Sequence, residues 1–329
     1  MIRSRIWTFR ALAWCAWMLP AASWAGQETA GYLLDLPPGG RAIGMGSAQG
    51  AVAEDPDAGY WNPAALAFVE PKHAVAVTYS RLKGIEDFPF VYAAYSASIP
   101  ELSGTIAVSF AYFDLGERED QTTGESYRPD EMAPAVAYGG RLSDELAVGI
   151  GVKMYRINYS SPDAPPDLDF TATTVLFDGG ILWRGKDSRV LVGGAVQNLG
   201  PDLEFGSNGQ SEPPARNLKL SLGARLVDLE YARLVVAGDL NTLLVGENNA
   251  PRLMVGGEMQ VGPYAALRIG LRYDGWFIED NDFTENQQQY ATTLGFGVRM
   301  KGIAIDYANA PWSVLSSRNS HHISVGARF

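Results

Sequence analysis

Few residues in this 329-residue chain are suited to chemistry. Its three histidines are His73, His321 and His322. None has partners at a metal-ligand spacing such as H-E-x-x-H, so all three read as polar residues at strand ends. Glu279-Asp280-Asn281-Asp282 gathers carboxylates that could hold calcium. The run lacks the spaced ligands and the glycine of an EF-hand loop, and reads better as a solvated loop. Gly39-Gly40-Arg41-Ala42-Ile43-Gly44-Met45-Gly46 has the glycine content of a phosphate loop. It fits neither G-x-G-x-x-G after a strand nor a loop ending in Gly-Lys-Ser/Thr. No Gly-x-Ser-x-Gly elbow occurs, and no Ser/His/Asp set suggests itself. The expectation is a chain that is not an enzyme and uses no cofactor and no metal.

The elements around these residues are more informative. Residues 1–25 read as a signal peptide. Arg3, Arg5 and Arg10 form a basic start, Ala11 to Ala22 is apolar, and Ser23-Trp24-Ala25 offers small residues before a cleavage point at Gly26. The only cysteine, Cys15, lies inside this stretch, so the remainder has no thiol for a disulfide or a nucleophile. Formal net charge is -11. Without the leader, 23 basic residues face 37 acidic ones, which disfavours a nucleic-acid partner. No later stretch approaches 18 uninterrupted apolar residues, so a helical membrane protein is excluded.

Residues 26–70 are not strand-like. Asp55 is placed to cap a short helical turn with Pro56 at its first position, and Asn62-Pro63 should end that turn. Beyond residue 71 the chain alternates. Segments near 73–81, 89–99, 103–113, 131–140, 145–157, 171–184, 189–198, 216–227, 232–241, 252–261, 264–274, 290–300, 302–309 and 321–329 show period-two patterning. That gives about fourteen strands, mostly of ~9–11 residues, the length a tilted strand needs to cross a bilayer. Leu267, Ile269, Leu271 and Tyr273 oppose Arg268, Gly270, Arg272 and Asp274, for example. Connections after even-numbered strands are short, and those after odd-numbered strands are mostly long and polar or acidic. Short periplasmic turns with longer external loops are the mark of an outer-membrane barrel. The predicted fold is all-β: an antiparallel transmembrane β-barrel of about 14 strands, in the cell outer membrane.

Two sets of side chains follow from that frame. Arg225, Arg268, Arg272, Arg299 and Arg328 fall on the lumen face. They either pair with lumen acids such as Asp274 or attract an anionic head group. His322 to Phe329 forms a closing strand, expected to pair with the strand near Ala74 to Tyr79. Its terminal aromatic, Phe329, reads as an assembly signal for outer-membrane insertion machinery. Tyr60 and Trp61 are placed to pack the amino-terminal segment into the barrel.

Several stretches resemble a known family. Arg41 to Ala48, Ala53-Glu54-Asp55-Pro56-Asp57-Ala58 and Tyr60-Trp61-Asn62-Pro63-Ala64-Ala65-Leu66 are similar to the amino-terminal signature of PorV/PorQ-family proteins, within the FadL-like outer-membrane superfamily. Gln197-Asn198-Leu199-Gly200, Pro214 to Leu226, Pro251-Arg252-Leu253, Ala266 to Asp274 and His322 to Phe329 extend the likeness along the strands. The resemblance implies a fourteen-stranded barrel (71–329) with an N-terminal plug segment (26–70) in the lumen. It carries Asp55, Tyr60, Trp61, Asn62, Pro63 and Ala64 over as plug-signature residues. Ser47 and Gln49 depart from the family's glycine and apolar pattern. It implies transport or type IX-like secretion, with cargo binding and shuttling, or alternatively a FadL-like channel for hydrophobic small molecules. A structural or adhesive surface barrel is a third class. Implied partners are the lipid bilayer, the assembly machinery, secretion-system components or secreted cargo, and a hydrophobic ligand.

Overall fold

A computed structural model describes residues 29–70, 72–83, 87–119, 124, 126–159, 170–206, 209–245, 251–274, 290–311 and 319–329. Residues 1–25, expected to be a signal peptide and containing Cys15, and the acidic run 279–282 lie outside the described residues. Fourteen strands form one closed barrel. They are β1 His73–Lys83, β2 Asp87–Ile99, β3 Gly104–Asp114, β4 Asp130–Arg141, β5 Leu146–Asn158, β6 Thr171–Arg184 and β7 Val190–Leu199. The circuit continues with β8 Asn217–Leu229, β9 Ala232–Leu243, β10 Arg252–Val261, β11 Ala265–Asp274, β12 Tyr290–Met300, β13 Ile303–Pro311 and β14 Asn319–Arg328. Each pairs antiparallel with its sequence neighbours, and β14 returns to β1 with Ala74 opposite Arg328 and Arg81 opposite His321. Closure removes every free edge, which a sheet in hydrocarbon requires.

The alternation sorts side chains as the sequence implies. On β11, Leu267, Ile269 and Leu271 are 63%, 59% and 45% exposed toward lipid, while Arg268 is 4% exposed inside. Two bulges interrupt the ladder, at Phe177/Gly179 on β6 and at Arg225/Val227 on β8. One end carries tight turns. Lys301-Gly302 joins β12 to β13 with φ of 50° and 83°, the left-handed pair that suits a two-residue hairpin. The other end carries the long connections. Two contain small hairpins, Arg118–Glu119 with Ser126–Tyr127 and Leu203–Phe205 with Gln210–Glu212. Leu203 and Phe205 are buried over that mouth. These paired runs of two or three residues are too short for periodicity to reveal.

Residues 29–69 run through the interior. They enter at the long-loop end, where the Ala30 N–H donates to the Pro213 carbonyl at 2.8 Å. They leave at the short-turn end, where Arg141 Nε donates to the Ala67 carbonyl at 2.9 Å. Helix α1 spans Gly40–Gly44 and α2 spans Ala58–Trp61; a 3-10 turn covers Pro63–Phe68. The expected start at Pro56 is corrected: the helix begins two residues later, at Ala58. The Asp55 carbonyl accepts the Ala58 N–H in a separate turn, and Asp57, not Asp55, occupies the cap position without a side-chain cap bond. Asn62 does end α2 and also starts the next turn, its Oδ1 accepting the Ala64 N–H at 3.0 Å.

Candidate functional site

The polar chemistry of this chain lies between the amino-terminal segment and the barrel wall. Short segments without a complete hydrogen-bond ladder must find partners for their backbone groups. Here strand side chains supply them. The Gly39 and Gly40 N–H groups donate to Thr78 and Ser324 at 3.1 and 2.6 Å. The Gly46 N–H donates to Thr293 at 3.0 Å. The Gln49 and Gly50 N–H groups share Asp239 Oδ2 at 3.0 and 2.8 Å. At the long-loop end the Leu33 N–H donates to Glu131 at 2.7 Å, and that carboxylate also accepts the Tyr155 hydroxyl at 2.6 Å. The partners lie on β1, β14, β12, β9 and β4, so the segment is held from several sides of the barrel.

The glycine-rich stretch 39–46 has a packing cause. A Cβ at Gly270 would stand 2.0 Å from the Gly46 nitrogen, and one at Gly256 would stand 2.1 Å from the Met45 carbonyl oxygen. Segment backbone and strand backbone touch there. Gly270→Val is therefore expected to push the segment off β11, costing about 3 kcal/mol by overpacking. The check is the temperature at which heat-modifiable gel mobility is lost; an unchanged value would show that the contact is slack.

A buried ion network anchors α1. Arg41 Nε reaches Glu258 Oε2 at 3.0 Å, and its Nη1 donates to Gln49 Oε1 and the Val52 carbonyl, both at 3.1 Å. Arg268 Nε donates to the same Glu258 at 2.7 Å, and its Nη1 lies 2.7 Å from Asp306. Gln49 is thus a specific contact of Arg41. Near the short-turn end Glu54 meets Arg225 at 2.5 Å and Arg233 at 3.4 Å. Glu54 is thus shared by two arginines of the wall.

The sequence-predicted residues divide as follows. Arg225 and Arg268 pair with acids inside the barrel, and Arg299 reaches Gln260 at 3.4 Å. Arg328 donates to the Glu54 carbonyl at 3.2 Å. Arg272 lines a small cavity with Pro37, Ile43 and His322. The acids that hold the network are Glu258, Asp306 and Glu54; the side chain of Asp274 lies outside the description. Tyr60 donates to the Leu34 carbonyl at 3.2 Å, and Trp61 is buried with Lys219 Nζ 4.7 Å from its ring. Asn62 Nδ2 donates to the Gly50 and Ile181 carbonyls at 3.1 and 3.2 Å, tying α2 to β6; Pro63 and Ala64 are buried behind it. Asp55 makes no side-chain bond to the barrel that is part of this seat. His322 needs correction: it is no solvated strand end but a buried lumen residue, its Nδ1 2.7 Å from the Ser80 hydroxyl. Sequence reasoning missed Glu131, Asp239 and Glu258, although each occupies an inward position on an alternating strand. Asn62→Ala removes one cap and two bridging donors, and is expected to cost about 2 kcal/mol in the same thermal assay.

Comparisons with known proteins follow the geometry. Residues 26–250 match the family model of type IX secretion system protein PorV. No curated protein matches the sequence. Among solved structures, the Pseudomonas putida toluene transporter TodX is 13% identical with a TM-score of 0.59, covering 89% of this chain and 96% of its own. The Ralstonia pickettii toluene transporter TbuX is also 13% identical, with a TM-score of 0.57 over 89% and 98%. The CymD monoaromatic hydrocarbon channel is 11% identical with a TM-score of 0.62 over 91% and 99%. At such identities the likeness is one of fold. The match across most of the chain, on a closed fourteen-stranded barrel with a lipid-facing apolar wall, settles the family: this chain belongs to the PorV family of type IX secretion system proteins, as an outer-membrane β-barrel acting in transport or secretion.

Proposed function

We propose that this barrel is a non-enzymatic binding partner in type IX secretion, holding or shuttling secreted cargo rather than conducting solutes. The observation that carries the proposal is the filled lumen. Two cavities beside the segment, among the described residues, measure about 10 and 30 Å³. A dry cavity of roughly 150 Å³ is the scale that accepts benzene, so neither holds more than about a water or two. The amino-terminal segment acts as a plug in this reading; Tyr60, Trp61, Asn62, Pro63 and Ala64 serve to seat it, while Asp55 closes the turn before α2 through its carbonyl. The lumen arginines Arg225, Arg268, Arg299 and Arg328 are structural, each meeting an acid, an amide or a carbonyl of the segment or wall.

The runner-up is a conduit for hydrophobic small molecules. The larger cavity favours it, since Tyr60, Tyr92 and a row of alanines line the space beside the segment. Co-purification from native membranes separates the two. The shuttle reading expects secreted proteins or secretion components to be recovered with the barrel. Recovery of a hydrophobic compound, with no secreted protein or secretion component, would sink it.

A further inference from the structure

Every ladder of the barrel but one joins strands that follow one another around the circuit. The exception is the seam between β1 and β14, which the whole wall separates in sequence. It carries the highest loop-closure cost and is the pairing expected to form last. At its centre Thr78 and Ser324 are register partners, both buried, with their hydroxyls 2.8 Å apart. Each hydroxyl also accepts a backbone N–H of the amino-terminal segment. Gly39 donates to Thr78 at 3.1 Å and Gly40 to Ser324 at 2.6 Å. Two successive N–H groups thus grip the two sides of the seam. Both positions call for glycine. Gly39 stands at φ 91°, and a Cβ on Gly40 would lie 2.8 Å from the Asp306 carbonyl oxygen on β13.

The stretch that carries this grip is anchored on the β14 side of the seam without help from β1. Arg41 meets Glu258 on β10 at 3.0 Å, the Gly46 N–H meets Thr293 on β12 at 3.0 Å, and Ile43 is buried with Ala308 and Ala310 on β13. The distances along the chain differ sharply. Gly39 lies 39 residues from Thr78, whereas Thr78 lies 246 residues from Ser324. With the segment seated on β10 to β14, β1 hangs on the shorter tether, and closing a shorter loop costs less entropy. The segment also runs from one mouth to the other, so it is laid in before the seam shuts rather than threaded through a finished wall. We infer that Gly39 and Gly40 form a built-in clasp that draws β1 onto β14, so that the segment speeds closure of the barrel as well as filling it.

The test follows folding and unfolding rates of the full chain between urea and detergent micelles, read by heat-modifiable gel mobility. Thr78→Val removes the Gly39 acceptor at nearly constant volume. It should slow folding about tenfold and leave unfolding within about twofold, because the contact is already made when the seam closes. Ser324→Ala should behave alike, and Thr78→Ser, which keeps the acceptor, should fold as the parent does. Ser80→Ala is the contrast. It removes the 2.7 Å bond to His322, which spans the seam without a segment atom, so it should speed unfolding and leave the folding rate unchanged. A disulfide made from Val77→Cys and Val325→Cys, register partners exposed on the outer face, ties the two ends before folding in a Cys15→Ala background. Thr78→Val should then fold as fast as the tied parent. A Thr78→Val variant that unfolds faster with its folding rate unchanged would overturn the inference. So would a slowing, or a failure to fold, that the disulfide does not relieve.

Discussion

Replacing Arg41 by methionine is expected to unseat the amino-terminal segment and turn a closed barrel into one that conducts ions. Arg41 is the one cation that α1 sends into the wall, and it arrives in a region where both partners are almost dry, with side chains 7% and 4% exposed. Its guanidinium faces the Glu258 carboxylate directly, in a site from which water is excluded. Arg41 and Arg268 balance Glu258 and Asp306 in charge. Methionine fits the volume but leaves one excess carboxylate, and it strips the donors from Gln49 Oε1 and the Val52 carbonyl. Losing one member of a buried pair costs about 3–5 kcal/mol. That is comparable with the whole stability of many domains, whereas the wall is secured by fourteen closed ladders. The weak link is the segment, so it should leave its seat before the strands melt. Planar-bilayer recordings should show no steady current for the parent and a persistent one for Arg41→Met. Glu258→Gln should open the lumen too, and the double variant should cost less than the sum of the singles. Current-free bilayers with Arg41→Met would mean that other contacts suffice to hold the seat.

How much of this was legible in sequence depends on the length scale of each signal. The wall was legible because lipid outside and a polar interior impose period two on every strand. Leu267 to Asp274 announces its two faces from residue type alone. Loop lengths then gave the two ends, and the pairing of β14 with the Ala74–Tyr79 strand followed from closure. The segment was legible only in part. Gly39 to Gly46 had the glycine content of a phosphate loop but fitted no such motif, because glycine marks close backbone approach without saying to what. The approaching partner turned out to be Gly256 and Gly270, more than 200 residues away. The partners of the arginines were not legible. Glu258 faces Arg41 across 217 residues, and no local pattern joins them. Asp55 was assigned a capping role on a local rule that the Asp55–Ala58 turn overrides. Asn62, by contrast, carries both a cap and two long-range bonds, and a residue serving two geometries is tightly constrained by each.

Phe329→Ser should lower the amount of barrel in the outer membrane several-fold while leaving the barrel that does form nearly as stable as the parent. The two halves of this expectation rest on different contacts. In the folded state Phe329 closes the last rung of the seam through its backbone: its N–H donates to the His73 carbonyl and its carbonyl accepts the His73 N–H, both at 2.9 Å. Serine keeps both bonds. What it loses is a ring 69% exposed on the outer face and stacked on His73 at 5.9 Å, worth about 1 kcal/mol beyond its area. Such a loss is small against a wall of closed ladders. A large fall in membrane level with little change in unfolding temperature therefore means that the ring is read during assembly rather than needed afterwards. Refolding into detergent separates the two directly, since no assembly machinery is present and the serine variant should then fold as the parent does. Arg328→Ser is the matched contrast. That side chain points inward to the Glu54 carbonyl, so its loss should leave membrane levels intact and loosen the periplasmic end of the segment. Equal membrane levels for Phe329→Ser and the parent would remove the assembly role. Equal losses for both variants would show that any weakening of the seam, on either face, is enough to stop insertion.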